Sequence, residues 1–218
     1  MAAVAGAAIA CGHPSTQTEG YQAEAGMGTM DGDPGGPLVD GPPSAPTGPC
    51  NAVVQQRGIE GFTHVPECSY VEYGTKPPSS GNHYAIWAAF KTYGAPIPEG
   101  FWVHDLEHGG IVLSYNCPDE GCASDIAAAQ TLIDGQPDDP LCDSVGGAPR
   151  VRMTMTPDPN LDVRFAASAW GWTLRADCFD PTTFGAFVTA HYGHGREHAC
   201  GQGLDVSSGL PDGCGEDD

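Results

Sequence analysis

An α+β domain is what the pattern of this 218-residue chain specifies: a small mixed or antiparallel sheet with about three helices packed on it, stapled by disulfides. Three observations lead there. Short strand-like runs interleave with segments of helical spacing, in the order strand, helix, strand, helix, strand, strand, helix. Nine cysteines are many for a cytosolic protein and point to an oxidising compartment. With 31 glycines and 20 prolines, much of the chain must be loop.

The elements follow from local pattern. Ser69-Tyr70-Val71-Glu72-Tyr73 alternates and predicts a short strand. Tyr84 to Tyr93 sets Ile86, Trp87, Phe90 and Tyr93 at helical spacing. Residues 101–108 make two helical turns if Gly109-Gly110 stop them, and Ile111 to Tyr115 is an apolar, β-branched strand. Ser124 to Ile133 predicts a helix capped by Ser124 and ended by Gly135. Val151 to Thr156 and Val163 to Leu174 predict an antiparallel hairpin across Pro157-Asp158-Pro159-Asn160. Pro181 to Tyr192 predicts a last helix with Asp180 as cap and Pro181 at its first position.

Charge and the chain ends bound the setting. Eight Lys and Arg face 28 Asp and Glu, a net charge of -20, which excludes nucleic acid and anionic membrane surfaces as main partners. Small apolar residues through Ala8-Ile9-Ala10 precede Cys11 and resemble a lipoprotein signal, without the usual basic start. The expected partner is therefore a membrane, reached through a lipid on Cys11, and the expected location is the bacterial cell envelope. Residues 1–11 then form the signal segment and residues 12–49 a Gly- and Pro-rich acidic tether, with a mean reach of roughly 35 Å. The domain spans 50–214 and an acidic tail 215–218. Setting Cys11 aside leaves Cys50, Cys68, Cys117, Cys122, Cys142, Cys178, Cys200 and Cys214, enough for four disulfides. Cys117 and Cys122 close a turn and suit a local bridge. Thiolate zinc binding is the rival reading, and irregular spacing without any C-x-x-C pair argues against it.

The candidate chemistry lies in four histidines: His64, His83, His104 and His108. On a helix, His104 and His108 share a face at i and i+4, where two imidazoles can hold one metal ion. His104-Asp105-Leu106-Glu107-His108 also spells the inverted zincin pattern, in which Glu107 would be the general base of a hydrolase. The Gly-Gly stop counts against it, since that motif sits within a long helix. A packing role, with imidazoles bonded to backbone carbonyls, is the plain alternative. His191, His194 and His198 form a second, Gly-rich group that reads better as solvated loop than as a metal tract. Ser79 and Ser80 suit a turn. Met153 with Met155, and Trp170 with Trp172, each share a strand face and suit the core. No G-x-S-x-G, Walker loop or G-x-G-x-x-G occurs.

Thr63-His64-Val65-Pro66, Pro77-Pro78-Ser79-Ser80-Gly81-Asn82-His83-Tyr84, and Val103 to Val112 with its H-x-L-E-H-G-G string come in a distinctive order. With Trp87, Tyr93-Gly94 and Ala169-Trp170-Gly171, they resemble the bacterial domain-of-unknown-function family 3105 over roughly residues 63–195. The resemblance implies an exported or membrane-anchored protein and marks which residues form a site, while supplying no activity. The eight cysteines are additions to its pattern.

The sequence thus leads to an exported metal-binding domain with one transition-metal ion, copper or zinc, held by His104, His108, His83 and His64. Glu107 is a ligand or the partner that orients an imidazole. The alternatives are a hydrolase with Glu107 as base, and a metal-free binding or structural lipoprotein.

Overall fold

The computed structural model describes residues 39–118, 120–143, 145–209 and 214. The expected signal segment with Cys11, most of the tether and the acidic tail lie outside the described residues.

The central layer is a five-stranded mixed sheet. Its strands are β1 (Val53–Gln56), β4 (Ile111–Tyr115), β5 (Met153–Pro157), β6 (Phe165–Ala169) and β7 (Trp172–Ala176), in the order β1-β7-β6-β4-β5. β4 pairs in parallel with β5, and every other pairing is antiparallel. β2 (His64–Val65) and β3 (His83–Tyr84) form a separate parallel pair. Among the described residues there are three α-helices: α1 (Glu99–Glu107), α2 (Ala123–Asp134) and α3 (Pro181–His191).

Alternation along β4 decides which helix lies where, because successive side chains leave opposite faces of a strand. Ile111 and Leu113 join Ala129 and Ile133 of α2 and Phe184, Phe187 and Val188 of α3 in one core. Val112 joins Phe101, Trp102, Val103 and Leu106 of α1 in another. The sheet therefore separates the α2–α3 layer from the α1 layer. Met153 and Met155 are 1 % exposed and pack in the first core, as their shared face suggests.

Four disulfides hold the loops: Cys50–Cys178, Cys68–Cys214, Cys117–Cys122 and Cys142–Cys200. All eight domain cysteines are thereby used, including the local bridge expected at 117 and 122. They mark the protein as one of an oxidising, extracytoplasmic compartment. No helix among the described residues is long and apolar enough to cross a membrane.

Several elements differ from expectation. Ser69 to Tyr73 keeps its alternation of half-buried and exposed side chains but is not a strand, having no partner strand among the described residues. Tyr84 to Tyr93 is not a helix. Its N–H groups go to distant carbonyls, Ala88 to Phe101, Ala89 to Leu204 and Tyr93 to Met155, so tertiary bonding overrides weak local preference. Cys122, not Ser124, stands at the N-cap of α2. The strand expected over Val163 to Leu174 is two strands, β6 and β7, folded at Trp170-Gly171 with Gly171 at φ +71°. The expected β5–β6 hairpin does not form, because β4 lies between those strands. That fold separates the two tryptophans: Trp172 packs on the α2–α3 core and Trp170 on the α1 core. β1 was not foreseen. Residues 41–47, expected within the tether, bond alongside it through Gly41 to Gln56, Ser44 to Val54 and Thr47 to Ala52.

The cap of α3 matches its signature, since Asp180 accepts from the Thr183 backbone N–H at 2.9 Å with Pro181 following. Asp180→Ala is expected to cost about 1 kcal/mol, measured by thermal unfolding.

Candidate metal centre

Every residue from Gly100 to Glu107 is buried, so α1 is enclosed on all sides and its polar side chains need internal partners. Its end is built by Gly109-Gly110. The Gly109 N–H bonds to Leu106 O and the Gly110 N–H to Asp105 O, a Schellman closure with Gly109 at φ +78°. A Cβ on Gly110 would come within 2.7 Å of the Phe90 ring, which explains the second glycine. Arg152 Nη1 donates to the His108 carbonyl beyond.

This short helix presents His104 and Glu107 toward β2 and β3, where register sets His64 beside His83. The ring centres of His64, His83 and His104 lie 4.7–5.0 Å apart, close to an equilateral triangle. One donor atom each from His64, His83, His104 and Glu107 falls within 4.8 Å of every other, and such a group could hold a metal ion. His83, His104 and Glu107 are buried, while the His64 side chain is 44 % exposed and opens the site to solvent.

Backbone carbonyls orient two of the rings. His83 Nδ1–H donates to Gly81 O at 2.8 Å, and His104 Nδ1–H to Tyr84 O at 2.7 Å. A carbonyl only accepts, so each neutral ring keeps its proton at Nδ1 and turns the Nε2 lone pair into the cluster. This is the arrangement metal-bound histidines use. Burial, reinforced by the charges of His108 and His83, pushes His104 down to about 3, so it is neutral. His83 Nε2 lies 2.9 Å from Glu107 Oε2, and His64 Nε2 is 3.5 Å from the same oxygen. Burial pushes the Glu107 carboxyl up, but the hydrogen bond and charge of His83 outweigh it and leave the group below its usual range. A lone pair facing a carboxylate at hydrogen-bond distance calls for a cation, either a proton or a metal.

His108 is brought to His104, Nε2 to Nε2 at 3.1 Å, but not into the four-residue group. It also lies 3.5 Å from Glu197 Oε2 and has its ring centre 4.7 Å from that of Trp87. Two residues that sequence reasoning did not single out complete the rim. Arg196 Nη1 donates to Glu107 Oε1 at 3.0 Å and lies 4.1 Å from the centre of the Phe62 ring. Glu197 is the other. The signal available was a charged pair inside the run Gly193-His194-Gly195-Arg196-Glu197-His198.

The sequence motifs now have physical meaning. Gly81, at φ +125°, supplies the carbonyl that orients His83. Ser79 O receives the Gly171 N–H, and Ser80 Oγ accepts from the Glu60 N–H, so both serines are structural. The Ala169-Trp170-Gly171 turn sets Trp170 edge-on to His83, with ring centres 6.2 Å apart. The second histidine group does not gather. His191 stacks on Trp172 at 4.6 Å, where burial pushes its imidazole down, whereas His194 and His198 are exposed.

No curated protein and no solved structure matches this chain. A family model does, over residues 64–202, which takes in all four site histidines, Glu107 and the Arg196–Glu197 rim. The chain belongs to the family described as "Protein of unknown function (DUF3105)".

Proposed function

We propose that this protein is an extracytoplasmic metal-binding protein whose role is to handle, or use, one transition-metal ion held by His64, His83, His104 and Glu107. The observation that supports this reading is the pair of imidazoles fixed at Nδ1 by backbone carbonyls, with His83 Nε2 2.9 Å from the buried Glu107 carboxylate and donor atoms of His64 and His104 within 4.8 Å of both. Three nitrogens and one oxygen, with no sulfur donor in the group, suit zinc(II) or copper(II). A lipid on Cys11 and the acidic tether after it would hold the domain at the envelope.

Hydrolysis with Glu107 as base gains less support. Its oxygens are engaged by His83 and Arg196 and its side chain is 1 % exposed, which suits a ligand better than a water-activating base. A metal-free structural role requires a proton shared between His83 Nε2 and the Glu107 carboxyl, 2.9 Å apart. A melting temperature indifferent to chelator would favour that role.

The test is elemental analysis of protein purified without a His tag, beside a His83→Ala/His104→Ala variant. About one equivalent of zinc or copper per chain is expected, and it should be lost in the folded variant. Wild-type protein that stays metal-free after incubation with both ions overturns the proposal.

A further inference from the structure

Resting on the metal-site reading above, we infer that residues 193–197 form a cover seated by metal occupancy, with His108 as the switch and Glu197 as the residue it engages. His108 Nδ1 is buried without a hydrogen-bond partner, while its Nε2 faces His104 Nε2 at 3.1 Å and Glu197 Oε2 at 3.5 Å. His104 Nε2 carries a lone pair, because its proton is committed to Tyr84 O. Facing a lone pair and a carboxylate, His108 must hold its proton at Nε2. One N–H therefore has two acceptors, and the nearer is a metal ligand.

A metal that takes the His104 lone pair removes that acceptor. The His108 N–H then has Glu197 alone, at a distance well beyond the roughly 2.8 Å of a charge-assisted bond. Closing it draws Glu197 inward. The segment that moves is already docked on the end of α1, through Gly193 N–H to Gly109 O and Glu197 N–H to Glu107 O, each 2.8 Å. Arg196 ties it to Glu107 and stands 3.8 Å from Glu197 Oε1, so the charge of Glu197 is shared between Arg196 and His108. Gly193, at φ +80°, makes the turn by which the chain enters the segment. Arg196 thus bonds to a residue of the metal group and Glu197 faces one beside it, so the segment's seating and the metal's residence become one equilibrium. Glu197 is a positioning residue here, acting through His108.

The experiment adds zinc, and copper(II) in parallel, to the full chain. It follows amide hydrogen exchange across 193–197 and the rate at which EDTA strips the metal. In wild-type protein, metal should slow exchange at Gly193 and Glu197 several-fold. Glu197→Ala should still bind one equivalent but lose that slowing and release metal about tenfold faster. Glu197→Gln keeps an accepting oxygen and should restore most of the effect. Metal binding with unchanged exchange, and wild-type release from Glu197→Ala, overturns the cover while leaving the metal site intact. Absence of metal binding in wild-type protein overturns both.

Discussion

Arg152→Met is expected to lose about 3–5 kcal/mol of folding stability. Arg152 is 3 % exposed and joins three elements. Its Nε donates to Asp139 Oδ2 at 2.7 Å, its Nη1 to the His108 carbonyl at the end of α1, and its guanidinium lies 5.3 Å from the centre of the Tyr192 ring. Tyr192 Oη donates to the same Asp139 oxygen at 2.6 Å and accepts from the Arg152 backbone N–H. Methionine keeps much of the stem volume but leaves a buried carboxylate without its cation and the His108 carbonyl without its donor.

The effect carries a pH signature. Burial pushes Asp139 up, yet the hydrogen bonds of Tyr192 and Arg152 prevail and hold it below its usual value. A depressed folded-state pKa contributes stability above the unfolded value of about 3.9, which fades as pH falls through the folded one. Without Arg152, burial has less to oppose it and acid relieves the strain. The stability gap between wild type and variant should therefore narrow below about pH 4. Denaturant unfolding at pH 7 and pH 3.5 checks it, and a gap independent of pH would contradict the assignment.

Gly195→Ala is expected to cost about 3 kcal/mol and to lower metal affinity at least tenfold. A Cβ there would overlap the N and Cα of Gly109 and the O of Glu107. All three are backbone atoms, so no rotamer relieves the clash. The segment must lift, giving up its bonds to Gly109 and Glu107 together with the Arg196 contact. Gly94→Ala is the control, because a Cβ at Gly94 meets nothing within 4 Å, and it should be close to neutral. Melting temperatures and metal titration of the two variants decide the matter. Equal behaviour would mean that the close seating of Gly195 on α1 is not needed.

Legibility in the sequence tracked how local each determinant is. The H-x-L-E-H-G-G string carries a helical face, its stop and candidate ligands within seven residues, so the tip of α1 could be read directly. Asp180-Pro181 gave the start of α3, and Cys117 and Cys122 their bridge, for the same reason. What failed depends on partners far along the chain. Tyr84 to Tyr93 has helical spacing, but bonds to Phe101, Met155 and Leu204 decide its backbone. β5 and β6 are adjacent in sequence and separated in space because β4 inserts between them, which no local pattern records. His83 and His104 could be named as candidate ligands from residue type and motif. Their orientation rests on the carbonyls of Gly81 and Tyr84, which every residue possesses and sequence cannot rank. Glu197 was hidden because its neighbour His108 lies far back along the chain.

The bridge between Cys142 and Cys200 joins two segments that both reach the end of α1. Cys200 lies three residues past Glu197, and Cys142 three residues past Asp139, the acid that pairs with Arg152. Closing the bridge therefore ties the segment over the histidines to the network that holds the end of α1. A freshly translocated, still reduced chain lacks that tie and must restrain the same residues against a larger loop entropy. If the histidine group holds an ion as proposed, oxidation would come before its firm loading, and a retained ion would mark a chain that has completed its thiol chemistry.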